Sequence, residues 1–358
     1  MRILEMIELA GRHGGIEKLM TETAIRMKAR HGHDITMLTL YEPDPTYGGY
    51  LHDHGIGYVC LHTSNKYNPF LYKRVSRLID EEHYDVVHAH NTTTQIIGAL
   101  AKRYGHTHAK FALTEHQTGG IRRRMPFFRK ADQWVYDSYD LVTAVSVTAQ
   151  ESLLRWLKLS PTPRYSVICN GVDRKALLKG QPCRRSEFGF QESDTVVACI
   201  GRLTAAKDHA TLIDAIALLP PDYKAIIIGD GPERAALTQY AAEKGVSQRV
   251  LFTGKRSDVG ALLRMADCYV SCSKEEGFGL TLVEAAFCQR PIAASDIPAH
   301  REILGDEGLF PVEDSKALAQ LIQHGPMATP DTDDIFRRYD FDQMVEQYEL
   351  LYKNLLKM

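Results

Sequence analysis

The chain has 358 residues, 44% hydrophobic and 25% charged, with a net charge of -2. That length predicts two domains, and that composition predicts an ordinary soluble globular protein. No apolar run is long enough to cross a bilayer, and acidic Glu5 arrives too early for a secretory signal, so a cytoplasmic protein is expected.

Short apolar runs bounded by glycine predict strands over residues 3–7, 35–40, 58–62, 86–90, 111–114, 141–145 and 166–169. Helical patterns over 16–30, 71–82 and 94–103 fall between them. After the first strand, paired Gly14 and Gly15 let backbone come close to a ligand as the first helix opens. His90 and His116 end two later strands, where side chains of α/β folds meet substrates. With 15 histidines present, either is equally readable as surface or satisfied core.

Residues 122–130 hold Arg122, Arg123, Arg124, Arg129 and Lys130 around Met125, Phe127 and Phe128. Such a patch suits an anionic membrane surface, an anionic acceptor, or a solvated loop. No wider basic stripe accompanies it, so nucleic acid is not an expected partner. Residues 1–170 carry a net +4 and the rest -6, which favours an anionic partner on the first half or is plain surface scatter.

A boundary is expected after Asn170-Gly171-Val172-Asp173. The first domain then spans 1–172, a charged aperiodic linker 173–194, and the second domain 195–335. Strands are predicted over 196–200, 225–228, 250–252, 268–271, 291–294 and 309–312. Strands alternating with helices in both halves predict α/β domains with doubly wound parallel sheets. One closing helix over 335–356, with Tyr348, Leu351 and Leu355 on one side, is expected to pack back on the first domain from about residue 340 to 358.

Gly201-Arg202-Leu203-Thr204-Ala205-Ala206-Lys207 follows the first strand of the second half. Arg202 and Lys207 could hold a diphosphate there, or could be two solvated surface cations. Gly229-Asp230-Gly231-Pro232 makes a tight strand-to-helix turn but a poor dinucleotide fingerprint. In residues 276–284, Glu276 and Glu284 flank a glycine turn that opens an apolar helix. The turn suits a phosphate and the acids suit hydroxyls, a combination found in nucleotide sugars. The bland alternative is a pair of acids at a helix's positive end. Asp331-Thr332-Asp333 resembles a metal-binding DxD but reads better as a helix cap, and no metal or other cofactor is expected. Seven scattered cysteines without a CxxC pair read as reduced thiols.

The ordered set GGxE, HxHN, TxH, NGVD, GRL-x3-K, GDGPE, FxG and E-x7-E resembles the family 4 retaining glycosyltransferases of GT-B fold, from about residue 3 to about residue 310. The resemblance implies two Rossmann-like domains facing a central cleft. It implies that Arg202 and Lys207 bind the donor diphosphate and that Glu276 holds donor-sugar hydroxyls. Glu284 would take the ribose, and Gly201 with backbone amides of Phe278, Gly279, Leu280 and Thr281 would contact sugar and phosphate. Lys255 and Arg256 would lie against the base, Gly14 and Gly15 would approach the diphosphate, and His116 would sit near the reacting face. The implied partners are an NDP-sugar, UDP-linked by expectation, and a glycan or lipid-linked acceptor. Two departures are Cys288-Gln289-Arg290-Pro291 and Ser295-Asp296-Ile297-Pro298-Ala299-His300, where members often carry glycine. A nucleotide-sugar 2-epimerase and a non-catalytic nucleotide-sugar binder are the rival readings.

Overall fold

A computed structural model describes residues 1–9, 15–42, 45–119, 123 and 125–358. It divides into two units, Met1–Cys169 with Asp342–Met358, and Asn170–Phe341.

The first unit is built on seven parallel strands: β1 (Arg2–Ile7), β2 (Asp34–Thr39), β3 (Gly57–Cys60), β4 (Val86–Ala89), β5 (Lys110–Glu115), β6 (Leu141–Ala144) and β7 (Tyr165–Val167). Their order is β3-β2-β1-β4-β5-β6-β7. Ile3, Leu4, Met6, Val86 and Val87 are fully buried, so both faces of the central strands are covered. That is why these strands read as unbroken apolar runs. Helices Gly15–His31, Leu71–Glu81 and Thr92–Tyr104 lie where the 3.6-residue pattern puts them.

The second unit holds β8 (Thr195–Ile200), β9 (Tyr223–Ile228), β10 (Val250–Gly254), β11 (Cys268–Ser271), β12 (Ile292–Ser295) and β13 (Leu309–Phe310). Their order is β10-β9-β8-β11-β12-β13, again with every pair parallel. All thirteen strands fall on the predicted runs. Among the described residues, no helix is long and apolar enough to cross a membrane.

Two expectations need correction. The stretch 173–194 is part of the second unit rather than a free linker. Asp173 caps helix Arg174–Leu177 by accepting from the Ala176 N–H, Phe190 is buried, and Arg185 reaches the Asp267 carboxylate at 2.7 Å. The closing helix is two helices, Thr332–Tyr339 and Phe341–Lys357. Asp340 between them is extended, because its backbone bridges to Val172 while the Val172 N–H donates to the Tyr339 carbonyl at 2.9 Å. From Asp342 onward the second helix belongs to the first unit, where Tyr348, Tyr352 and Leu355 are buried and Leu351 is half-buried.

The break depends on Gly171. A Cβ there would stand 2.6 Å from the Phe341 Cα and 2.9 Å from the Asp340 carbonyl oxygen. Gly171→Ala should therefore cost about 1–3 kcal/mol, the usual size of an overpacking penalty, read as a lower midpoint in urea. An unchanged midpoint would show that the 340–341 backbone yields freely.

Candidate active site

In the second sheet the strand order reverses between β8 and β11, the place where open α/β sheets bind ligands. The loop after β8 runs from Gly201 to Asp208, and the loop after β11 from Cys272 to Gly279. The Lys274 N–H donates to the Ala206 carbonyl at 2.8 Å and ties the two loops together. Across them the Lys207 ammonium donates to Glu276 Oε1, and the Ser273 hydroxyl donates to the same oxygen at 2.7 Å. Glu276 is half-buried in this pairing, with 13% of its side chain exposed. Arg202, by contrast, is exposed, and its guanidinium enters no ion pair among the described residues.

Neighbouring glycines hold the first loop in place. A Cβ on Gly229 would stand 2.0 Å from the Gly201 carbonyl oxygen, at a φ of +144°, and one on Gly231 would stand 2.4 Å from the Leu203 carbonyl oxygen. The Leu203 N–H donates to the Asp230 carbonyl, and Leu203 itself is fully buried. The GDGPE turn is thus the support beneath Arg202.

Gly279, at a φ of +104°, is the N-cap of helix Leu280–Phe287, and no side chain caps that end. The first-turn N–H groups of a helix lack intrahelical acceptors and suit an anion. The Phe278 ring packs edge-on against Tyr339 at 5.2 Å, so Phe278 is available to a ligand only through its backbone. Thr281 accepts from the Tyr269 hydroxyl at 2.6 Å. Glu284 lies half-buried one turn further along. Lys255 is exposed after β10, while Arg256 is held by both Asp258 oxygens at 2.8 and 2.6 Å.

One support went unread in the sequence. His300, in the segment that lacks the family's glycines, is fully buried beside the β11 loop. Its Nδ1 lies 2.7 Å from the Ser295 carbonyl, and the Ser295 hydroxyl donates to the Ser273 carbonyl. Asp331 caps its helix by accepting from the Asp333 N–H, so the DxD is a helix start in this fold.

In the first sheet the order reverses between β1 and β4. The Asn91 side chain accepts from the Glu8 N–H at 2.9 Å and joins the ends of these two strands. Glu5 and His88 are cross-strand partners, and Glu5 Oε2 lies 2.7 Å from His90 Nε2. His90 Nδ1 is 3.2 Å from His116 Nε2. Burial, and then the nearby His90, pushes the His116 pKa well below its ordinary value. Potential metal-ligand atoms of Glu5, His88 and His90 lie within 4.8 Å of one another, yet each histidine nitrogen in the group already has a hydrogen-bond partner. Gly15 begins its helix with open space at its Cβ position, and Gly14 lies outside the described residues.

The basic patch is less available than its composition implies. Arg123 pairs with the buried Glu115 carboxylate at 2.5 Å, and the Arg129 guanidinium lies over the Trp156 ring at 5.0 Å. Arg122 and Arg124 lie outside the described residues. Phe127 and Lys130 are exposed, and Phe128 is half-buried against Phe127.

The model for glycosyl transferases group 1 matches residues 182–324, and that for glycosyltransferase family 4 matches residues 13–176. The chain belongs to the group 1, family 4 glycosyltransferases. Relatives agree along its length. N-acetyl-alpha-D-glucosaminyl L-malate synthase of Bacillus anthracis is 26% identical over 364 residues, covering 96% of this chain and 95% of that one. A UDP-Gal:alpha-D-GlcNAc-diphosphoundecaprenol alpha-1,3-galactosyltransferase of Escherichia coli is 27% identical over 249 residues, 64% of this chain and 62% of that one. HepE of Anabaena, solved with UDP and glucose, has the same GT-B fold, with a TM-score of 0.84 at 22% identity over 99% of this chain and 100% of that one.

The transferase also carries a buried imidazole behind its cation loop. His209 opens helix His209–Leu218 with Nδ1 3.4 Å from Cys199 Sγ, and burial pushes its pKa down to about 4. A histidine depressed in the folded state binds its proton more tightly when unfolded. Its contribution is whole above the ordinary value of 6.5 and is lost as pH falls toward about 4. Thermal midpoints should fall across that window, and fall less steeply in His209→Leu. Parallel slopes in the two proteins would remove His209 as a cause.

Proposed function

We propose that this glycosyltransferase moves a hexose-type sugar from a UDP-sugar to an acceptor hydroxyl, with retention at the anomeric carbon and without a metal ion. The acceptor belongs to a surface polysaccharide or glycolipid under assembly, and the enzyme works in the cytoplasm. The observation that carries the reading is the Lys207–Glu276 contact at the β8/β11 reversal, beside exposed Arg202 and a glycine-capped helix.

Each part has a task in that chemistry. The bond from the anomeric carbon to the diphosphate oxygen breaks, and the acceptor oxygen bonds to that carbon on the same face. The acceptor's proton passes to an oxygen of the departing diphosphate. Arg202, Lys207 and the first turn of helix Leu280–Phe287 gain most as negative charge gathers on the leaving group. The Glu276 carboxylate accepts hydrogen bonds from sugar hydroxyls and so orients the ring. Glu284 takes the ribose hydroxyls. These cations and amides can balance the diphosphate without a divalent ion.

Relatives support a uridine donor. HepE has been solved with UDP-glucose, and the Escherichia coli relative uses UDP-Gal with a lipid-diphosphate acceptor. Named acceptors otherwise differ, from malate to inositol 3-phosphate. The basic patch is not used here, since Glu115 and Trp156 engage two of its cations.

Arg202→Ala, Lys207→Ala and Glu276→Ala should each lower turnover by about a hundredfold or more with folding intact, the size of one lost transition-state contact. Near-normal turnover in all three would overturn the assignment. So would an epimerised UDP-sugar formed without acceptor, followed by proton NMR. Chelation with EDTA should leave the rate unchanged; a loss reversed by added magnesium would defeat the metal-free part.

A further inference from the structure

The first unit contains a buried polar chain whose hydrogen-bond directions can be worked out from one end. Glu5 is 6% exposed in the middle of β1. An ionised carboxylate only accepts, so every polar neighbour must donate to it. The Tyr352 hydroxyl donates to Oε1 at 2.9 Å, which uses its single proton. His88 Nδ1, 2.6 Å from that hydroxyl oxygen, must then carry a proton and donate. Neutral His88 is left with a lone pair on Nε2, which accepts from the Thr114 hydroxyl at 2.7 Å.

The second branch runs toward the carboxyl edge of the sheet. His90 Nε2 lies 2.7 Å from Glu5 Oε2 and donates to it. His90 Nδ1 is then a lone pair, and His116 Nε2, at 3.2 Å, donates to that. His116 Nδ1 is consequently an acceptor. It is buried and has no partner among the described residues. A buried polar atom left unpaired is costly and rare, and this one follows β5 at the edge where open α/β sheets hold ligands. Burial depresses the pKa of both His88 and His116, in keeping with neutral rings.

We propose that Glu5 and His90 are positioning residues that lock His116 in its Nε2–H form and reserve Nδ1 as the acceptor for a substrate hydroxyl. Glu5 is the sink toward which both branches point, so one buried carboxylate sets the two outer histidines in opposite tautomers. Only the identity of the group that meets Nδ1 rests on the transferase reading. The tautomers do not.

The test is the two-bond proton–nitrogen NMR spectrum of the full chain labelled with nitrogen-15 histidine. His116 should show its proton on Nε2 and His88 on Nδ1. A proton on His116 Nδ1 would mean that the His90–His116 hydrogen bond runs the other way, from His90 Nδ1, and would overturn the proposal. His90→Asn keeps an acceptor near the Nδ1 position and should leave the His116 signals in place. His90→Phe removes that acceptor and should spread His116 over both tautomers; unchanged signals there would also overturn it. With a UDP-sugar donor, His90→Phe should lower kcat/KM on the order of tenfold, the worth of one hydrogen bond, and His90→Asn much less. Adding His90→Phe to His116→Ala should cost nothing further; an independent loss in the double variant counts against a positioning role.

Discussion

A parallel sheet wound outward in both directions from one strand has a single place where two neighbouring strand-end loops part. In the second unit that place is β8 beside β11, and the Lys207–Glu276 contact depends on it. Lys207 and Glu276 are 69 residues apart in sequence, and only this reversal lets the ammonium of one reach the carboxylate of the other. The same reversal separates the two cations of the GRL-x3-K loop in character. Lys207 is already engaged, while Arg202, five residues earlier, is exposed and enters no ion pair among the described residues. A diphosphate would meet one exposed guanidinium and one ammonium shared with an acid.

Placing those loops requires backbones to touch, and glycine is what allows it. At Gly229 and Gly231 the missing Cβ makes room for the carbonyls of Gly201 and Leu203. At Gly260 the same absence admits the Leu177 carbonyl, which would lie 1.8 Å from a Cβ, and so seats the short helix Arg174–Leu177. Gly201 itself is different. A Cβ there would meet Lys207 carbons no closer than 3.5 Å, an ordinary contact. In this loop the packing need lies with the glycines beneath, rather than with the glycine named alongside Arg202.

The sequence made the sheets legible because strands buried on both faces must be apolar throughout. What it concealed were features decided by a distant partner. Nothing local at Asp340 breaks a helix; the break comes from Val172, which claims the backbone there. Residues 173–194 lack a period because caps and ion pairs hold them instead of an apolar stripe. Charge counting could not reveal that Arg123 turns toward Glu115. His116 was visible as a strand-end residue, but Glu5 was not, since only the register of β1 against β4 sets it beside His88. His300 hid in the segment where the family's glycines are missing.

The two units balance these carboxylates in different ways, and the difference follows the work each would do. Glu5 meets the Tyr352 hydroxyl and the His90 ring, and its proposed role is to hold an arrangement still. Glu276 is satisfied by a cation that a phosphate could also claim. Drawing Lys207 toward a diphosphate would take a charged donor away from a half-buried carboxylate, a loss that a replacement donor would lessen. Ser273 gives that carboxylate one hydroxyl. A sugar attached to the diphosphate offers several more. Under the proposed function, the Lys207–Glu276 pair couples the two ends of the donor: sugar hydroxyls arriving at the glutamate ease the lysine toward the phosphate. This ion pair then favours a nucleotide sugar over the bare nucleotide, because the bare nucleotide draws on the cation and brings no sugar hydroxyl to the acid.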